Sequence, residues 1–254
     1  MPSVEEAEEP CLWLWLRLFS VPCLVTVVLV GTPPGRWFVR NRFRWPVNNR
    51  IGWCLKELPS LLIPIWHLSG QTGPLLRPPL LPLSLFAAHY FQRTFIYPLR
   101  MSADSARPLP YILMAAAFTT WNGQLQSLAA HRCPADSSDT YTTLHAVGAV
   151  IFVLGAAINI DSDQRLLALR KPGGPRYCVP HGGFFEFVTA ANYLGEMIEW
   201  WGYALVSWTP AALFFALFTT VYLTGCAAEL HEQNKARFGA EYPRERRRIV
   251  PFLF

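Results

Sequence analysis

The chain has 254 residues, of which 52% are hydrophobic and only 15% charged, with a formal net charge of +5. A soluble chain of this length carries about 25% charged residues, so the composition argues against a water-soluble globular protein and for one that lives in a membrane. The positive excess gathers in loops on one side of the apolar runs, so it is read as topology, with no nucleic-acid partner implied.

The first ten residues, MPSVEEAEEP, are acidic and lack the basic start of a signal peptide. The first apolar run, 12–31, is therefore expected to be a retained span. Further runs follow at 53–68, 80–99, 111–131, 142–160, 184–208 and 210–228. A membrane helix needs about 20 apolar residues, and most of these runs fit. The run 53–68 is short and interrupted by Pro59 and Pro64. Lys and Arg accumulate on the cytoplasmic side of a membrane protein. With seven spans and the N-terminus outside, 17 of the 22 Lys and Arg fall in inside segments, and only Arg77 and Arg132 fall outside. The expected fold is an all-α integral membrane protein: a seven-transmembrane-helix bundle, one domain over residues 1–254, with the N-terminus outside and the C-terminus cytosolic. The multi-pass chain would sit in the endoplasmic reticulum membrane of a eukaryote or the cytoplasmic membrane of a bacterium.

Between the runs, GPLLRPPLLPLS (73–84) reads as an outside loop. The segment 162–183 reads as a long inside connection, where Lys171-Pro172-Gly173-Gly174 would end any helix. The tail AELHEQNKARFGAEYPRERRRIVPFLF (228–254) extends the last span as a polar helix and closes on an apolar cap after a basic cluster. The six Cys and six His are scattered without ligand spacing, so no metal is expected.

Ionisable side chains inside spans are costly and usually face the bundle interior at a functional site. Here they are Lys56 and Glu57; His89, Tyr90, Arg93 and Tyr97; Asn159, Asp161 and Asp163; and Asn192, Glu196 and Glu199, with Asn122, Gln124 and Gln126 adding amides. Asn192, Glu196 and Glu199 stand at i, i+4 and i+7 and share a helix face, as do Asn159 with Asp163 and Arg93 with Tyr97. A plainer reading exists for several: Glu186 and Glu199 as snorkelling or ion-paired groups, Lys56 with Glu57 as a local pair, Trp53 and Tyr90 as packing aromatics, and His89 and His231 as hydrogen-bonded helix residues. The convergence of acids, amides and phenols from five spans favours a cavity open to the cytosol. Arg107, Arg170, Lys171 and Arg176 on the inner side could hold phosphates. Neither GxGxxG nor GxxxxGK[ST] occurs, so a nucleotide would be held by the bundle itself.

The stretches WCLKELPSL (53–61), HYFQRTFIYPL (89–99), NGQLQ (122–126), INIDSDQRLLALRKPG (158–173), VPHGGFFEFVTAANYLGEMIEWWGYAL (179–205) and EYPRERRRIVPFLF (241–254) resemble the membrane steroid 5-alpha-reductases, the 3-oxo-5-alpha-steroid 4-dehydrogenases. The resemblance implies NADPH-dependent reduction of an enone carbon–carbon double bond. Hydride adds to the carbon β to the carbonyl, while Glu57 and Tyr90 polarise the carbonyl oxygen. A Glu in an apolar cavity favours its neutral form, which would let Glu57 donate a hydrogen bond. Substrate contacts fall on Trp53, Glu57, Tyr90, Phe218 and Tyr222. Cofactor contacts fall on Arg93, Tyr97, Arg107, Asn159, Asp163, Arg170, Tyr177, Asn192, Glu196, Trp200 and His231, with Asn192 and Glu196 toward the nicotinamide. The expected partners are a steroid or other lipidic enone entering from the bilayer and the membrane lipid itself. Related members reduce polyprenols or enoyl-CoA chains. The chain departs from the family pattern at Lys56, where Gln is frequent, at Cys178, where a basic residue is usual, and at Asn234, where Tyr is common. Arg176 and Lys235 are the nearby cations open to the phosphate role.

Two other readings remain. Isoprenylcysteine and phospholipid methyltransferases share a similar C-terminal layout and bind S-adenosylmethionine, but methyl transfer has no use for an acid–phenol pair. A lipid carrier or transporter fits the apolar character, but no inverted repeat is visible.

Overall fold

The computed structural model describes residues 45–71, 80–101, 106–132, 143–169 and 177–254. The run expected as the first span, most of the Pro-rich loop, and Arg170, Lys171 and Arg176 lie outside the described residues.

The described residues are mostly helical. A short strand, β1 (Pro46–Asn48), leads into α1 (Asn49–Ser69). Then come α2 (Leu80–Phe91), a π-helical turn (Gln92–Ile96) and α3 (Tyr97–Arg100). Strand β2 (Ala106–Pro108) opens α4 (Leu109–Arg132), followed by α5 (Thr143–Ala168), α6 (Ala191–Ser207) and α7 (Pro210–Phe238). The two strands qualify the all-α expectation: they pair antiparallel, with Val47 opposite Arg107. Two of the helices, spanning Thr143–Ala168 and Pro210–Glu241, are long and apolar enough to cross a membrane.

Three local features qualify the sequence reading. First, α1 runs unbroken through Pro59 and Pro64. It is braced there by α4: the Ser60 hydroxyl donates to the Thr119 carbonyl at 2.9 Å, and the Thr119 hydroxyl donates to the Lys56 carbonyl at 2.6 Å. Tertiary packing thus holds a helix that proline would otherwise interrupt. Second, the readings of a loop over 73–84 and a span over 80–99 overlapped, and α2 begins at Leu80, as the span reading had it; Pro82 falls in its first turn, where a missing N–H costs nothing. Third, the run 184–208 is not one helix. Gly182 and Gly183 adopt left-handed backbone (φ 84° and 56°), a single 3-10 turn spans Gly183–Glu186, and α6 starts only at Ala191. The intervening backbone is satisfied by the C-terminal tail: Arg247 N–H donates to Phe187 O, and Thr189 N–H donates to Arg247 O, each at 2.8 Å.

Helices α5 and α6 form the closest pair, and glycines make this possible. A Cβ on Gly155 would lie 2.7 Å from the Glu199 Cα, and one on Gly195 would lie 2.8 Å from the Asn159 Cα. Small residues at a helix contact let backbones approach. The approach brings Asn159 and Asp163 on α5 beside Asn192, Glu196 and Glu199 on α6. Below them a buried aromatic cluster of Phe86, Tyr90, Trp200, Tyr203 and Phe215 joins α2, α6 and α7.

Candidate active site

The π-helical turn is built by its sequence. Pro98 has no N–H to offer Thr94 O, and the Tyr97 N–H reaches back to Gln92 O. The carbonyls of Arg93 and Thr94 are thereby released from the helix ladder. The Trp53 indole N–H donates to Arg93 O at 2.9 Å, and the Cys54 thiol donates to Thr94 O at 3.1 Å. One helical irregularity, of a kind often found at functional sites, ties α1 to α2 and fixes Trp53 beside Arg93.

Two chambers are lined from these helices by residues about one turn apart: Trp53 and Glu57, Arg93 and Tyr90, Asn192 and Glu196 each divide between them. The larger, about 410 Å3, is polar and aromatic; its wall includes Trp53, Arg93, Tyr97, Arg107, Asp163, Tyr177, Asn192 and Arg237. Arg93 donates to Asp163 at 2.7 Å, Asn192 donates to the other Asp163 oxygen at 3.1 Å, and the Asn159 amide donates to Asn192 O at 2.8 Å. The Arg93 guanidinium also lies 5.0 Å from the Trp53 ring and 4.7 Å from the Tyr97 ring. Strand pairing delivers Arg107, whose Nε donates to Asn49 Oδ1 at 2.5 Å.

The smaller chamber, about 210 Å3, is mainly apolar, walled by Met114, Phe118, Phe215, Phe218 and Tyr222 among others. Phe218 and Tyr222 stack at 5.9 Å. The polar groups at this wall include Lys56, Glu57, Tyr90 and Glu196. The Lys56 ammonium meets the Glu57 carboxylate and also lies 3.7 Å from the centre of the Trp53 ring.

These chambers sort the residues expected from the sequence. Glu57, Tyr90, Phe218 and Tyr222 line the apolar one. Arg93, Tyr97, Arg107, Asp163, Tyr177 and Asn192 line the polar one, and Asn159 supports it from behind. Trp53, expected against the substrate, stands on the polar wall instead, because its indole is committed to Arg93 O. Asn192 and Glu196 divide between the chambers. Trp200 lines neither: it is 1% exposed, packed edge-on against Phe215 at 4.6 Å and against His89. His231 sits one layer back, within 2.6 Å of the Thr189 hydroxyl, which does reach the polar wall. Glu199 pairs with His89 at 2.8 Å in the core, a structural role as its plainer reading had it but with a buried His as partner in place of a neighbouring Arg. Glu186 is outside the bundle, where the Gly182 N–H holds its carboxyl below the usual carboxylate range.

Glu57, expected to be neutral from burial, has the Lys56 side-chain nitrogen against it. Paired as ions, the carboxylate would accept hydrogen bonds only. Lys56, read from the sequence as half of a local pair with Glu57, does make that pair. One wall residue was not singled out by the sequence. Arg237 was hidden in the basic tail, yet its guanidinium stacks 3.6 Å over the Tyr177 ring at the polar wall. Lys235, the compensating cation expected there, pairs with Glu232 at 3.7 Å instead.

The profile of the 3-oxo-5-alpha-steroid 4-dehydrogenase family matches residues 105–254. The chain is 43% identical over 217 residues to 3-oxo-5-alpha-steroid 4-dehydrogenase 1 of Homo sapiens, covering 84% of this chain and 83% of that protein. It is 43% identical over 209 residues to 3-oxo-5-alpha-steroid 4-dehydrogenase 2 of Rattus norvegicus, covering 81% of each. With the type 1 protein of Bos taurus it shares 38% identity over 243 residues, 92% of each chain. A match over more than half the chain, joined to these identities, places the chain in the 3-oxo-5-alpha-steroid 4-dehydrogenase family of oxidoreductases.

Proposed function

We propose that this chain reduces the 4,5 double bond of 3-oxo-4-ene steroids to 5-alpha-3-oxosteroids, with NADPH as hydride donor. The observation that carries the reading is the pair of linings: Glu57 and Tyr90 face an apolar chamber, and residues one helical turn away on the same helices, Trp53 and Arg93, face an arginine-lined one. The donor set of the larger chamber fits a dinucleotide. Three guanidiniums, from Arg93, Arg107 and Arg237, suit phosphates, and the faces of Trp53, Tyr97 and Tyr177 suit flat rings. Arg170, outside the described residues, belongs to the same proposed set. When bound, the cofactor supplies hydride to the carbon β to the carbonyl.

The chain's own groups then do the rest. Met114, Phe118, Phe215 and Phe218 exclude water around the steroid. The Tyr90 phenol donates to the carbonyl oxygen, where negative charge develops, and a donor preorganised in an apolar site stabilises it strongly; Glu57, with the Lys56 side chain against it, completes the polar edge at which that oxygen sits. Asn192 and Glu196, one on each wall, orient the two partners toward each other.

The membrane reading goes with this function. Trp66, Leu99, Leu113, Val150, Val153 and Val221 are exposed on helix surfaces, as lipid-facing residues of a seven-span, single-domain bundle with the N-terminus outside would be. A steroid dissolved in the bilayer would enter between such helices. The test is turnover of testosterone or progesterone with NADPH by the purified protein in liposomes. Formation of the 5-alpha product is expected, together with protection against heat by NADPH, worth about 2.7 kcal/mol at a hundredfold excess over Kd. No enone reduction, with protection by S-adenosylmethionine instead, would move the reading to methyl transfer.

A further inference from the structure

Lys56 has no use in the mechanism as far as it has been drawn, and its geometry is unusual. Adjacent residues on a helix point in different directions. A lysine so placed in an apolar helix would ordinarily extend its flexible stem toward the polar boundary. Lys56 instead turns back to meet Glu57 and shares the wall of the apolar chamber with Glu57 and Tyr90. Its side chain is only 11% exposed. Its backbone is pinned at the same level, because the Thr119 hydroxyl donates to the Lys56 carbonyl at 2.6 Å.

An ammonium has three N–H donors and no acceptor. Among the described residues, one is spent on the Glu57 carboxylate, and the face of Trp53 receives the charge from the side at 3.7 Å. A donor is left over at a cavity wall with few polar groups. Glu57, ionised opposite Lys56, can only accept. Of the three groups that frame the expected carbonyl position, Lys56 and Tyr90 are therefore the donors.

We propose that the Lys56 ammonium is the charged hydrogen-bond donor to the substrate carbonyl, a catalytic residue that takes up the negative charge of the enolate; the assignment rests on the enone-reductase reading above. As hydride adds to the β carbon, the electron pair of the carbon–carbon double bond moves to the bond between the α and carbonyl carbons. The carbonyl π pair moves onto oxygen. Lys56 and Tyr90 hold that oxygen by two hydrogen bonds, and Glu57 holds Lys56 in place. The α carbon then takes up one proton from bulk solvent, reaching it along the polar edge of the chamber, and the carbonyl reforms, with Lys56 still protonated. A fixed cation in an apolar cavity acts on such an oxyanion without the screening that water imposes.

The experiment compares Lys56→Met, Lys56→Arg and Glu57→Gln in liposomes, using two readouts. One is kcat and KM for progesterone. The other is equilibrium binding of a steroid bearing a carboxylate at C3, a stable anion at the position of the enolate oxygen. Lys56→Met should lose about a hundredfold in kcat and about as much in affinity for the carboxylate steroid, with KM for the neutral enone within threefold of the parent. Lys56→Arg should keep carboxylate affinity within tenfold, and Glu57→Gln should lose less kcat than Lys56→Met. Retention of the NADPH-induced thermal shift certifies the fold of each variant. Unchanged carboxylate affinity in Lys56→Met would overturn the assignment, as would a larger loss in Glu57→Gln than in Lys56→Met. Failure of the parent to reduce any enone would instead sink the reductase reading, whereas the binding arm reports on Lys56 without turnover.

Discussion

The two chambers are built in opposite ways from the same few helices. The larger one is held by a dense ionic and hydrogen-bonded web, Arg93 to Asp163 to Asn192 to Asn159, in which each group is fixed by the next. The smaller one is shaped by packing, with Phe218 on Tyr222 and Phe215 on Trp200, and admits polar atoms at few places. A web of paired charges suits an anionic ligand whose every group has a counterpart. A packed apolar cup suits a rigid hydrocarbon and leaves its few polar atoms to act on the one polar function that ligand carries. Under the proposed function, cofactor binding falls to one chamber and chemistry to the edge of the other, and that division can be broken residue by residue.

The largest effect is expected in the polar web. Asp163→Ala strands the Arg93 guanidinium, now paired at 2.7 Å and largely buried. Losing one partner of a buried pair costs about 3–5 kcal/mol. Thermal unfolding should show the loss, together with a raised KM for NADPH. A variant of parental stability would mean that the web is not structural.

Next comes Tyr90→Phe, which removes one donor at the apolar wall and leaves the packing. It should lower kcat about a hundredfold, the lower end for a lost oxyanion donor, with little change in NADPH affinity. A shift in NADPH affinity rather than kcat would blur the division between the chambers.

Gly155→Ala tests the contact that sets the two chambers side by side. The added methyl would meet the Glu199 backbone. Overpacking of this kind costs about 1–3 kcal/mol, and since α5 and α6 would be forced apart, kcat and the KM for NADPH should worsen together. The smallest effect is expected from Arg237→Ala. Its guanidinium stacks on an exposed Tyr177 at the mouth of the polar chamber. An exposed cation–π contact is worth about 0.5–1 kcal/mol, so the KM for NADPH should rise only a few-fold with kcat unchanged.

Much of this was legible before any coordinates. The i, i+4, i+7 spacing of Asn192, Glu196 and Glu199 placed them on one face, and the motif stretches fixed the family. Glu57 and Tyr90 do come to one wall, although α1 and α2 are separate in sequence. The misses have a common cause: they depend on who satisfies a backbone group. Trp53 left the substrate side because the π-helical turn released a carbonyl for its indole. The run 184–208 is not α-helical before Ala191 because the tail pairs with it around Arg247. Hydropathy and helical period carry no information on either choice. The Lys56–Glu57 pair, by contrast, was legible from the adjacency of the two residues. Trp200 illustrates the reverse error, since a motif residue expected at the cofactor proves to be the centre of the aromatic core.

The central claim, that hydride passes from a ligand of the polar chamber to a steroid in the apolar one, is tested most directly by isotope position. The parent protein in liposomes should be given progesterone with NADPH deuterated at the transferable C4 position, and the product read by mass spectrometry and proton NMR. The two-chamber account predicts one deuterium at C5, on the alpha face, and a solvent-derived hydrogen at C4. Product without deuterium at C5, or no reduced product at all, would contradict it.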